Sequence, residues 1–149
     1  MPAKLTVLTS TTPKILSKQF RLGPEGELAK TTSANMVKGT AKVIEVAGLE
    51  EFANVLSSLT TDQALTYGVP PARSCSIMSK DEFEKAGRPA GTYTRAKAFF
   101  QWPGGPGVMM ADYDPTGPEA LSRGELVKLV REAIPGLADA ELLWWPSSS

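Results

Sequence analysis

The alternation of apolar and polar positions predicts a chain built from short strands and a few amphipathic helices. KLTVLT alternates and predicts a strand, and ILSKQFRL alternates again before LGPEGE, a turn rich in Gly and Pro. NMVKGTAKVIEVA is strand-like, with β-branched residues around Gly39. GLEEFANVLSSL then changes period: Leu49, Phe52, Ala53, Leu56 and Leu59 fall at helical spacing. Glu50 and Glu51 occupy the first turn of that helix, where the dipole favours acids. ALTYGVP predicts a further strand ending at Pro70.

The middle of the chain, from Pro70 to Lys97, is the least regular. Within it SKDEFEKAG predicts a short helix with Ser79 as N-cap and Gly87 at its C-terminus. AFFQW and GVMMADYD then predict two strands joined by PGGPG, a connection suited to a hairpin. SRGELVKLVREAIPGL places Leu126, Leu129, Val130 and Ala133 on one helical face and ends near Pro135 and Gly136. ELLWWPSSS predicts a last strand. This mixture argues for an α/β or α+β fold, a mixed sheet with covering helices, in one domain spanning 1–149. An apolar strand with two tryptophans so near Ser149 suggests the front part of a longer protein.

Composition narrows the chemistry. With 149 residues, 42% hydrophobic and 21% charged, the chain has the make-up of an ordinary globular domain. No apolar run reaches the roughly 18 residues of a membrane span, and the N-terminus has no signal-peptide core, so a cytoplasmic, membrane-free protein is expected. Cys75 is the lone cysteine and there is no histidine. That excludes an internal disulfide, Ser-His-Asp catalysis and zinc sites of the Cys/His type. A metal would need oxygen ligands, which points to Mg²⁺ or Mn²⁺. The net charge is zero but unevenly spread: through Lys42, seven basic residues stand against Glu25 and Glu27, giving +5. A basic N-terminal part beside an acidic site suits a polyanion, and a solvated face gives the same pattern.

The candidate site starts from Asp112 and Asp114. Two apart on a strand, they would share one face, with Tyr113 on the other. Such a pair can hold a divalent cation for phosphoryl or nucleotidyl transfer. Aspartates capping a turn would look alike in sequence. Arg95 and Lys97 are also two apart and, if extended, present two phosphate-binding cations on one face. Phe99, Phe100 and Trp102 are expected in the core rather than as base-stacking platforms. PGGPG lacks the Lys-Ser/Thr of a phosphate-binding P-loop and reads as a turn. Ser147 and Ser149 offer hydroxyls to a nucleotide, or belong to a frayed end.

The run from QALTYGVP through TRAKAFFQWPGGPGVMMADYDP to ELLWWPSSS resembles the N-terminal part of plasmid and phage primase-like proteins of the archaeo-eukaryotic primase superfamily, which are often joined to a helicase domain. The resemblance implies an RRM-like catalytic core, here incomplete, with Mg²⁺ or Mn²⁺, nucleoside triphosphates and a single-stranded DNA template as its partners. Asp112 and Asp114 match the family's first motif, a hydrophobic strand ending in D-x-D or D-x-E. Ser147 and Ser149 stand where a Ser-x-His motif would begin, without its histidine, and the third motif, a further acid, has no counterpart. Two other readings fit the same residues. D-Y-D-P-T also fits the D-x-D-x-T of haloacid-dehalogenase-like phosphatases, with Asp112 as nucleophile and Asp114 as acid/base, although only 35 residues follow Asp114 and Lys128 falls in a helix. A glycosyltransferase D-x-D is a weaker variant. A non-catalytic module binding nucleic acid or protein would rest on the basic N-terminal third instead.

Overall fold

The computed structural model describes residues 1–16, 19–31, 35–113 and 120–145. They divide into two compact units, Met1–Val108 and Met109–Ser149. The first carries 13 Lys/Arg against 9 Asp/Glu, and the second 3 against 7, so the charge asymmetry follows the division.

Unit 1 is an α+β structure around a mixed five-stranded sheet in the order β5-β1-β4-β6-β7. Its strands are β1 (Ala3–Thr12), β4 (Lys38–Val46), β5 (Gln63–Thr66), β6 (Ser74–Met78) and β7 (Thr92–Thr94). A separate hairpin, β2 (Gln19–Leu22) with β3 (Leu28–Thr31), closes through the LGPEGE turn, with Gly26 at φ 84. Only glycine adopts that backbone readily. The helices of this unit are α1 (Leu49–Ser58) and α2 (Lys80–Lys85).

Alternation along β1 and β4 explains why the sheet has two cores. Ala3, Leu5 and Val46 point to one face and are buried with Phe52 of α1; Ile44, Leu49, Val55, Leu56 and Leu65 pack around them. Leu8, Ala41 and Ile77 point to the other face and join Met36 and Phe100, with Cys75, Tyr93 and Phe99 alongside. Phe83 of α2 meets Phe99 edge-on, with centroids 6.3 Å apart. The helices therefore serve different cores. The segment β4-α1-β5 is a split β-α-β, because β1 lies between its two strands; β6-α2-β7 joins adjacent parallel strands.

The ends of the helices follow the sequence signals. Glu51 accepts a hydrogen bond from the backbone N–H of Ala47 at 2.7 Å, ahead of α1. Ser79 caps α2 by accepting from the N–H of Glu82, and Gly87 follows at φ 74.

Unit 2 contains α3 (Arg123–Ala133). Ser122 and Glu125 form a full capping box at its start. Leu126 and Val130 are half-buried, whereas Leu129 is 51% exposed and α3 has no buried residue.

Among the described residues, three of the predicted strands do not form. Residues 107–113 of GVMMADYD form no strand, nor do 141–145 of ELLWW; the rest of both segments lies outside the described residues. AFFQW is a turn in which Phe99 and Phe100 donate backbone bonds to Ala96, and only Gln101 pairs, as an isolated bridge to Val69. PGGPG consequently connects no hairpin. Conversely, β6 and β7 form in the stretch that read as irregular. β6 is held between β4 and β7, and its small residues Ser74, Cys75 and Ser76 give little hydrophobic signal.

Candidate functional site

Asp112 is exposed, in a segment without regular structure. Its neighbour Tyr113 is anchored: the tyrosine hydroxyl accepts a hydrogen bond from the backbone N–H of Leu121 at 3.0 Å. That bond ties the segment to the residue just before the Ser122 cap of α3. Among the described residues no Lys or Arg pairs with Asp112. Nor do three His, Cys, Asp or Glu side chains gather as a metal-ligating group. Asp114, Ser147 and Ser149 lie outside the described residues.

Arg95 and Lys97 do not share a strand face, because β7 ends at Thr94 and the chain turns there. Both are exposed. Arg95 reaches back to the segment just before β4, its guanidinium 3.5 Å from the Met36 carbonyl, a long hydrogen bond. Lys128, the lysine available to a phosphatase reading, is an exposed residue of α3 with its ammonium 3.8 Å from Glu132.

Unit 1 brings together residues that sequence reading did not. One row crosses the entire sheet: Gln63, Thr9, Thr40, Ser76 and Thr92 stand opposite one another on β5, β1, β4, β6 and β7. All five are polar and uncharged. Gln63 donates to the Thr9 hydroxyl at 3.3 Å. The next row holds Leu65, Val7, Lys42 and Ser74, so only its β4 and β6 members are polar. These rows lie on the same face as the α1 core, and Thr40, Lys42, Ser74 and Ser76 are all exposed. Lys38 also belongs to this face and pairs with Glu82 at 3.3 Å. No strand position on this face carries Asp or Glu. The sequence held one signal of the row, the polar alternation Lys38, Thr40, Lys42, but the contribution of β6 and β7 required knowing that they were strands.

The opposite face has an open cleft of about 240 Å³ lined by Lys4, Val43, Glu45, Val69, Pro70 and Arg73. Lys4 and Glu45 are cross-strand partners, so the cleft mixes both signs. At its margin Thr6 is fully buried and donates to the Gly68 carbonyl at 2.8 Å.

The aromatic residues divide differently from expectation. Phe100 is buried and Phe99 half-buried, but Trp102 is 71% exposed. Its ring lies parallel to Tyr67, with centroids 5.8 Å apart and planes within 3°. Burial raises the Tyr67 phenol above its ordinary value.

No protein-family model, no curated protein and no solved structure matches the chain. Among the described residues, no helix is long and apolar enough to cross a membrane.

Proposed function

We propose that this chain is the N-terminal part of a primase-like replication protein, with Asp112 and Asp114 as the start of a Mg²⁺- or Mn²⁺-dependent nucleotidyl-transfer site. The observation that carries the reading is the state of Asp112: exposed, beside Tyr113 whose hydroxyl accepts from the Leu121 backbone, and unpaired with any cation among the described residues. A carboxylate in that state is a hard oxygen ligand suited to Mg²⁺ or Mn²⁺. Bound metal would neutralise triphosphate charge and activate the attacking hydroxyl. Asp112 and Asp114 would hold the ion, with Ser147 and Ser149 as proposed hydroxyl contacts; Arg95 and Lys97 are, separately, proposed phosphate-binding cations of unit 1. Nucleoside triphosphates and single-stranded DNA are the proposed substrates. An RRM-like core, completed by further sheet and joined to a helicase, is part of the proposal.

The test is a Mn²⁺ titration followed by NMR line broadening, with and without a nucleoside triphosphate. Broadening centred on residues 108–116, strengthened by nucleotide and lost in Asp112→Asn/Asp114→Asn, is the expected result. Unlocalised broadening in wild type would reject a metal site on this chain.

A second reading is favoured by the polar row of unit 1 and the exposed Lys42 beside it: a non-catalytic nucleic-acid-binding module. It tolerates Asp→Asn at both positions and loses affinity when lysines are removed.

A further inference from the structure

We infer that the uncovered half of the α1 face in unit 1 binds the sugar–phosphate backbone of a single-stranded nucleic acid, with Lys42 as its central cation and Thr9, Thr40 and Ser76 as hydroxyl donors. The inference deepens the proposed function: it takes the nucleic-acid partner from that reading and assigns it a surface far in sequence from the aspartates.

Three observations lead to it. First, the face changes character abruptly. Leu5, Ile44 and Val46 lie under α1, whereas Thr40, Lys42, Ser74 and Ser76, on the same face of neighbouring strands, are exposed. Hydroxyls suit a surface that exchanges water for polar ligand atoms, because each can donate one bond and accept two. Second, the charge is of one sign. The strand positions of this face carry Lys38 and Lys42 and no carboxylate. Lys38 is engaged by Glu82, but among the described residues Lys42 has no ionic partner. Asp62, just before β5 at one end of the polar row, accepts from the Thr60 hydroxyl and keeps its negative charge. Within the uncovered rows an anionic ligand therefore meets Lys42 and no strand carboxylate, with Glu82 and Asp62 at the margins.

Third, the shape and chemistry select among anions. The polar groups form one row across five strands, with Lys42 and Ser74 beside it, rather than a pocket, and neighbouring strands are about 4.8 Å apart. An extended anion with repeated charges fits such a row better than a compact one. No aromatic residue occupies the uncovered rows, so bases find no stacking platform there. Contact would be to phosphates and sugars, which positions a strand without reading its sequence.

The experiment measures fluorescence anisotropy of a labelled oligodeoxythymidylate and of a mixed-sequence strand of equal length, binding to the whole chain in EDTA over a range of KCl. Without divalent metal the Asp112 reading is silent, so failure here and failure of the Mn²⁺ titration are separate results. Lys42→Gln is expected to weaken binding several-fold and to lower the slope of log K against log salt by about 0.7, the release expected for one single-strand phosphate contact. Thr40→Val/Ser76→Ala is expected to weaken binding with the slope unchanged. Both strands should bind alike. Lys80→Gln, an exposed lysine of α2, is the charge control and should match wild type. These sites are exposed, and circular dichroism checks that each variant is folded. The inference is overturned if wild type does not bind, if Lys42→Gln binds as well as wild type, or if Lys80→Gln loses as much as Lys42→Gln. Preference for one strand over the other would also overturn it, because base readout is then required.

Discussion

Gly39 lies against the backbone carbonyl of Thr9 so closely that a β-carbon at position 39 would overlap its oxygen, and would stand 3.0 Å from the Met36 sulfur. Gly39 pairs with Ser10 just before the β1–β4 register shifts. The obstacle is backbone in the middle of a sheet, so it cannot rotate away. Gly39→Ala is expected to destabilise unit 1 by about 1–3 kcal/mol, the usual cost of forcing atoms into packed space. Urea denaturation followed by tryptophan fluorescence checks this. An unchanged midpoint would mean that the strands separate freely there.

Thr6 is fully buried and its hydroxyl holds the Gly68 carbonyl, joining β1 to the segment after β5. Gly68 is itself pressed on Phe100, whose β-carbon would be 3.1 Å from an added side chain. Thr6→Val keeps the shape and removes the donor. A loss of about 1–2 kcal/mol is expected, the range for a buried bond broken on one side. Thr6→Ser keeps the donor, so it should leave the 67–70 segment as protected from amide exchange as in wild type, whereas Thr6→Val should expose it.

The regular parts of this fold were legible because pattern and packing agree there. Helix α1 shows its Leu49, Phe52, Leu56 spacing in sequence and buries that side on the sheet. The caps Ser79 and Ser122 also act as their positions predict. Strand β6 was not legible, since Ser74, Cys75 and Ser76 become strand through pairing with β4 and β7 rather than through their own preference. The reverse error occurred at AFFQW and GVMMADYD, whose apolar runs look like strands. The first folds as a turn that sends Phe100 into the core and Trp102 into solvent. The second leaves Met109 and Met110 exposed at 66% and 68%. Of the candidate site, the exposed carboxylate was legible from D-x-D. The cross-strand row was not, because register joins residues up to 83 positions apart.

Cys75 packs beside the Leu8, Ala41 and Ile77 core, and burial raises its thiol above the ordinary value of 9.0. Only the thiolate is nucleophilic, so a raised value means less of it at neutral pH. Cys75 is therefore expected to react with iodoacetamide more slowly than a free thiol at pH 7.5 and to approach the free rate in urea. Fast reaction in the native state would show that the sheet opens readily around β6.

Glu82 gives the clearest dependence on pH. Its carboxylate accepts a hydrogen bond from Lys38, feels that ammonium's charge, and has Lys85 at 3.5 Å on its other side. These contacts hold its pKa below the ordinary 4.5. A carboxyl depressed in the folded state contributes stability above its unfolded value, and that contribution is lost as pH falls through the folded one. The pair links β4 to α2, so removing the cation should matter only while Glu82 is ionised. Lys38→Met is expected to lower the urea midpoint at pH 7. The gap from wild type should narrow as pH drops below 4.5 and close once Glu82 is protonated. NMR titration of the Glu82 carboxyl supplies the independent check, its pKa rising toward the ordinary value in the variant. A gap that stays constant from pH 7 down to pH 3 would assign the loss to packing of the lysine stem instead of to charge.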